Sequence, residues 1–525
     1  IRSCHNCTVR ETGPTTFPPS QRNPLVSIVR GPADYQGVPP FSPGTAFPEY
    51  PFAKVGEKVA ENGAYQMVRR SLALLGLDLA RFGTEAWNPL GGLIRPGNTV
   101  VLKPNFVRNF RETSQHHGDC LITHGSIIRA ALDYVHIALQ GSGRAIIADA
   151  PQNDADFTTL RRIAGLDEIQ EFYRRNAGFD VEVYDLRPER ADKIDGVIVG
   201  HSALPGDPAG YVRINLGIHS AFAEINHLCH LLYGSEYDTG EVRRHHHDDV
   251  HEYMISKTIL DADCVISLPK LKTHKKVGIT VSLKNLVGIN GNKNWLPHHR
   301  EGTPAQGGDQ FAESGVMHLV ERRVLGVFKR IFPYMGRLRS PVAAPLKAVG
   351  RRIFGDTNEG AIRSGNWYGN DTTWRMVLDL NRILIYADSK GMLREEPTRK
   401  LFSIVDGIIA GEGNGPLDPT PRATGVVLTG ADQVAVDLAC ARLMGFDHCK
   451  IPLLARAGDP HRYPTTTTSY SNIHCASNCP DWHGPLDRLR PIKPPFQPHF
   501  GWRDAIGLRV DADHSVRAIA GSVRD

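Results

Sequence analysis

DCVISLPKLKTHKKVGITVSLK, residues 263–284, sets a lysine-rich stretch between two apolar runs. The first run, 264–268, has the length and β-branched content of a buried strand, and 277–284 reads as a second one. At period two, Lys270, Lys272 and His274 share a side if the extended backbone continues past Pro269. Thr280, Ser282 and Lys284 then share a side on the next strand, opposite Ile279, Val281 and Leu283. Two polar stripes would face each other across a gap. Buried ammonium groups need partners, so the arrangement calls for an anion: a carboxylate, a phosphate, or the chain's own Asp149 and Asp406. For Lys275 and Lys276 a solvated loop is the alternative reading.

Outward from this stretch, short apolar runs alternate with helical patterns. PLVSIVRG (24–31) and TVVLKPNFV (99–107) read as strands, with a helix over 59–77 between them; helix 126–141 and strand 144–150 follow. After 181–186 the chain turns polar and hairpin-like to about residue 250. The rhythm resumes with helix YMISKTILDA, the two strands of 263–284, helix 372–388, the apolar run 401–411, strand TGVVLTG and helix 432–445. This is βαβ order, which predicts an α/β fold: mostly parallel sheet or sheets with helices on both faces, in two interleaved lobes, plus a basic helical insertion. The segments expected are a leader (1–23), an α/β lobe (24–200), a polar insertion or edge region (201–250), a second α/β lobe (251–319), the basic insertion (320–355), a lobe completing the sheet (356–455) and a C-terminal extension (456–525).

Ligands of such sheets bind at the carboxyl ends of strands. Lys103-Pro104-Asn105, Asp149-Ala150-Pro151, Lys270 to His274, Lys284-Asn285, and Asp406-Gly407 leading to Glu412 all follow predicted strands. Lys103, Lys270, Lys272 and Lys284 are therefore expected to hold the anion and Asn105 and Asn285 to orient it. His274, kept neutral by a cationic neighbourhood, is expected to move a proton. Catalysis is assigned to His274, Lys284 and Lys272, and a Schiff base on a lysine of depressed pKa is an alternative.

The motifs LKPNFV, IADAP, DCVISLPKLKTHKKVGITVSLKNLVGI, NWLPHHREGTPAQGGDQF, NWYGNDTTWRM and IVDGIIAGEGNGPL together resemble the bacterial and archaeal family catalogued as domain of unknown function 362, over roughly 24–455. The resemblance implies an α/β protein whose lysine, asparagine and histidine motifs converge on one site. It implies no reaction. Some members carry a C-x2-C-x2-C cluster, which this sequence lacks.

Twenty-three histidines are present, several in clusters. In RRHHHDDVHEYM, His247 and His251 stand at i, i+4 and would present two imidazoles on one helical face, with Asp248 or Asp249 beside them, as half of a divalent-metal site. Asp149, Asp406 and Glu412 are the other metal candidates, or else pair with the lysines. The segment 291–311 reads as an active-site loop anchored by Trp295 and Leu296, offering His298, His299, Arg300 and Asp309. Asn366 and Arg375 are further candidates to reach the anion, although Asn370 or Asp371 capping a helix explains most of their motif.

Nine basic residues against one acid, Glu321, crowd 320–355, so the rest of a chain of net charge +5 is slightly acidic, which argues against a nucleic-acid binder. Interleaved with Val324, Phe328, Ile331 and Phe332, this segment fits amphipathic helices, docked on an anionic membrane surface, on the protein itself or on a second subunit in a homo-oligomer. No apolar run spans a bilayer. Nine scattered cysteines fit a reducing compartment better than a disulfide framework. Cys4 and Cys7 with Cys475 and Cys479 leave a zinc or iron–sulfur site open, and the start at Ile1 leaves a preceding segment open. No serine elbow, dinucleotide fingerprint, P-loop or kinase set occurs. The expectation is a cytoplasmic enzyme, peripheral to a membrane in one variant, acting on a small anionic metabolite, with a divalent metal ion as an open cofactor. The alternatives are a scaffold docking on membrane through 320–355 and a redox protein using the terminal cysteines.

Overall fold

In chain order the first nine strands are β1 (Leu25–Arg30), β2 (Thr99–Pro104), β3 (Arg144–Asp149), β4 (Val181–Asp185), β5 (Glu189–Ile194), β6 (Val197–Ala203), β7 (Tyr211–Asn215), β8 (Leu232–Tyr233) and β9 (His246–His247). Then come β10 (Val250–Ser256), β11 (Cys264–Leu268), β12 (Lys270–His274), β13 (Gly278–Thr280), β14 (His299–Arg300), β15 (Lys400–Asn414), β16 (Asp418–Gly430), β17 (His474–Ser477) and β18 (Gly484–Pro485). This computed structural model describes residues 24–35, 37–52, 61–111, 119–194, 197–234, 239–313 and 360–508. The leader, Cys4, Cys7 and the basic segment 320–355 lie outside the described residues.

Eleven strands form one mixed, mostly parallel sheet in the order β18-β17-β1-β16-β15-β11-β2-β3-β4, with β12 on β15 and β13 on β12. The fold is α/β. Strands β15, β11, β2, β3 and β4 run parallel, so their carboxyl ends share one edge. Strand alternation sorts side chains between two cores: Val101, Ile146 and Val265 to one face, Val100, Leu102, Ile147 and Ile266 to the other. Helices Thr373–Tyr386 and Gln433–Met444 cover the first face, helices Gly63–Leu74 and Gly125–Leu139 the second. Three of these helices begin on side-chain caps: Asn62 accepts from Tyr65 N, His124 from Ser126 N, and Asp432 from Val434 N and Ala435 N. Among the described residues no helix is long and apolar enough to cross a membrane.

Three local expectations are corrected. YMIS is part of β10, and only Lys257–Leu260 is helical; the alternating burial of 250–256 shows that a two-residue period prevailed there. His247 and His251 do not lie on a helix: β9 and β10 form a hairpin pairing His251 with His246. The run 277–284 is a strand only over Gly278–Thr280 and then turns helical at Ser282–Asn285.

Candidate functional site

That helical turn decides the site. Asp437, buried on helix Gln433–Met444, accepts from Ser282 N (2.8 Å) and Leu283 N (3.0 Å), so it satisfies two donors of the turn's first residues. Extended backbone would have continued the period-two stripe; the turn instead brings Lys284 to a cavity of about 140 Å³ at the carboxyl ends of β2 and β3. A void of ~150 Å³ holds benzene, so this one suits a phosphate or a carboxylate of a few carbons.

Among the described residues six lysines line the cavity, Lys103, Lys272, Lys275, Lys276, Lys284 and Lys293, against one carboxylate, Asp149. Lys103 has the carboxylate: its Nζ stands 2.8 Å from Asp149 Oδ1 and donates to Pro104 O and Asn285 Oδ1. Asn105 Nδ2 donates to the same Asn285 oxygen at 3.1 Å, and Asn285 Nδ2 is held by Lys103 O and Ser267 Oγ. Gly288 seals this corner, since a Cβ there would lie 1.9 Å from Asp149 Oδ1 and 2.6 Å from Lys103 Nζ.

Lys272, Lys276 and Lys284 have no carboxylate at ion-pair distance among the described residues. Lys272 Nζ donates to Leu121 O (2.6 Å), Lys276 Nζ to Ser364 O and His298 O, and Lys293 Nζ to Val287 O and Asn290 O. Lys284 Nζ has no hydrogen-bond or ion-pair partner among the described residues. Burial first, and then the charge of neighbouring lysines, lowers Lys272, Lys276, Lys284 and Lys293 each to about 7. Thr280 Oγ1 and Asn105 Oδ1, both enclosed beside this cavity, have no hydrogen-bond partner among the described residues.

Two imidazoles complete the lining. His274 Nδ1 accepts from Lys276 N (3.0 Å) and Val277 N (3.3 Å), inside the tight turn that positive-φ Gly278 closes. His298 Nδ1 faces Leu296 O at 2.8 Å. Both pKa values are lowered by burial and then by lysine charge, His298 to about 3.

Of the residues singled out in the sequence, Lys103, Asn105, Asp149, Lys272, His274, Lys284, Asn285 and His298 meet in this cavity. Lys270 does not. Its Nζ is bound by Asp406 Oδ2 (3.0 Å) and Tyr35 Oη (2.6 Å), and Asp406 is filled further by Tyr35 Oη and His124 N. Pairing with β15 slips between Lys270 and Lys272, so one strand serves two environments. Glu412 is engaged by Arg422 (2.7 Å) and Gln497 N. Asp149, Asp406 and Glu412 thus do not converge as metal ligands, because each is held by a different cation. His251 is buried against Asn226, whereas His247 is half exposed beside Asp248, so the i, i+4 half-site is not formed. The one described set of three ligand-type residues with close donor atoms, Asp447, His448 and Cys449, is not in the cavity lining.

His299 stacks on Tyr233, Arg300 binds Asp371 and Gly307 O, Asn366 bonds Ala361 O, and Arg375 binds Asp371, Glu224 and Ala221 O; all four work within the fold. Cys475 is buried in β17. Sequence reasoning missed Lys293 and Asp437. The signal for Asp437 was available, as a lone carboxylate on the apolar helix pattern of DQVAVDLACARLMG; Lys293 carried none.

This chain resembles DUF362. The model of that family, described as a Domain of unknown function, matches residues 190–442, which hold Lys272, His274, Lys276, Lys284, Lys293 and His298, while Lys103 and Asp149 precede the matched region. A thylakoid-associated protein of Synechocystis sp. is 22% identical over 370 residues, covering 70% of this chain and 70% of the relative. A crystal structure of a Thermotoga maritima protein aligns with a TM-score of 0.29 at 11% identity over 72% of this chain, and the chain spans 58% of that protein.

Proposed function

We propose that the protein is an enzyme that binds a small anionic metabolite, a carboxylate or a phosphate, in the lysine cavity. The observation that carries this reading is the charge imbalance, six lysines to one carboxylate around about 140 Å³, with Lys284 Nζ unengaged among the described residues. An uncompensated buried ammonium costs several kcal/mol, and a bound anion offsets that cost at Lys284 and at the lysines around it. Asn105 and Asn285 orient the guest, and the unpartnered Thr280 hydroxyl gives it a further hydrogen bond.

The test is calorimetric titration with inorganic sulfate and phosphate and with small di- and tricarboxylates, on wild type and Lys284→Ala. One charge-assisted hydrogen bond is worth about 1.5–3 kcal/mol, so the variant is expected to lose roughly 10- to 100-fold in affinity. Equal affinity in both proteins refutes the assignment.

A second reading concerns location. The basic, apolar-interleaved segment 320–355 and the thylakoid association stated for the Synechocystis relative both favour peripheral contact of a cytoplasmic protein with an anionic membrane. Flotation with vesicles containing anionic lipid, against neutral vesicles and a 320–355 deletion, tests it; identical recovery in all three arms removes it.

A further inference from the structure

The two cavity histidines are held in opposite protonation patterns by their backbone partners. A backbone N–H can only donate, so His274 Nδ1, which faces two of them, is bare and its ring proton sits on Nε2. A carbonyl can only accept, so His298 Nδ1, against Leu296 O, carries the proton and its Nε2 is a lone pair. Neither Nε2 has a hydrogen-bond partner among the described residues, and both rings line the cavity. The cavity therefore presents one acceptor and one donor of fixed identity. Free imidazole exchanges its tautomers; here the backbone has chosen for each ring.

Resting on the anion reading above, we propose that His298 and His274 divide a proton-transfer step on a carbon acid: with the charge of the surrounding lysines countered by the bound anion, His298 Nε2 takes a proton from a C–H bond next to a carbonyl or carboxylate, and the Nε2–H of His274 bonds the oxygen that receives the electron pair. The C–H bond breaks, its electron pair becomes the enolate π bond, the carbonyl π pair moves to oxygen, and the proton ends on His298. No electron leaves the system and no co-reactant is needed. The ligand gains one negative charge in this step, which is the change that lysines lacking carboxylates stabilise most. O–H protons exchange in water unaided, so a built pair of this kind points to carbon. The substrate class is a small carboxylate bearing a carbonyl, of the 2-oxo acid type. The role of His274 is consequently that of a neutral hydrogen-bond donor, and the base is the histidine of the 291–311 loop.

Two measurements test this. Nitrogen NMR of wild-type protein labelled in histidine rings, assigned with His274→Gln and His298→Gln, is expected at pH 7 to show His298 protonated on Nδ1 alone and His274 on Nε2 alone. Reversed tautomers, or a doubly protonated ring at either position, overturn the proposal. In heavy water, wild type is expected to wash deuterium into the C3 position of pyruvate, oxaloacetate or 2-oxoglutarate at least 100-fold faster than buffer, and His298→Gln to lose about 10²–10³-fold of that rate. Exchange no faster than buffer with any of the three, whether or not they bind, or an undiminished rate in His298→Gln, overturns it. Sulfate binding to the wild type separates the two readings: sulfate bound without exchange sinks this step alone, while no sulfate bound sinks the anion reading beneath it.

Discussion

Lys270 and Lys272 stand two residues apart on one strand, both fully buried, and are handled oppositely. Lys270 meets Asp406 and Tyr35, and Asp406 is saturated by His124 N besides; the cation belongs to the fold. Among the described residues Lys272 reaches only a backbone carbonyl, and it opens on a cavity shared with five other lysines. The difference separates a lysine completed by the fold from one that is not. On the anion proposal, a buried cation with its own carboxylate is complete, and one without is completed by the guest.

The largest effect expected from this contrast is on stability. Lys270→Ala or Asp406→Ala leaves an unpaired buried charge and is expected to cost about 3–5 kcal/mol in urea unfolding. Lys272→Met and Lys284→Met remove uncompensated charge, so their unfolding midpoints are expected to equal or exceed wild type. A fall as large as that of Lys270→Ala would erase the distinction. Next is Gly288→Ala, whose methyl would press on Asp149 and Lys103; about 1–3 kcal/mol of overpacking cost is expected, together with weaker sulfate binding, because the paired corner of the cavity must move.

The contrast also sets the pH dependence, and its sign is the informative part. Lys272, Lys276, Lys284 and Lys293 fall from 10.5 to about 7 in the fold. Between about pH 7 and 10.5 the unfolded chain therefore binds more protons than the empty folded protein, so these groups make stability rise with pH in that window. Anion binding runs the other way. A bound anion favours recharged ammonium groups, so affinity is expected to decline as pH rises through 7 and above. Thermal unfolding and sulfate titration across pH 6.5–9 check the pair of slopes; slopes of equal sign contradict it.

Much of this was legible in the chain. Apolar runs of strand length gave the parallel sheet, and the polar residues after them marked the edge where Lys103, Asn105, Asp149 and Lys272 meet. The stripe logic worked for Lys272, His274 and Thr280 and failed for Lys270. It enrolled Lys270, because a slip in pairing between β12 and β15 leaves no trace in the sequence. It reached Lys284 by the wrong route, since the residue arrives on a helical turn fixed by Asp437, 155 residues on from Ser282, a tertiary contact that no local period encodes. The reading of His247 and His251 failed because a 3.6-residue period was imposed on a hairpin, where cross-strand register decides which residues face each other. Which histidine carries its proton where depended on backbone partners at hydrogen-bond range, and these appear only with the fold.

The most direct test is calorimetry of sulfate binding at pH 8 in buffers of different ionisation enthalpy, because sulfate itself does not titrate there. With lysines near 7 awaiting an anion, wild type is expected to take up at least one proton per sulfate bound, and Lys284→Ala to take up fewer and bind roughly 10- to 100-fold more weakly. Binding without proton uptake, or no binding at millimolar sulfate, would show that the lysines of this cavity are not waiting for an anion.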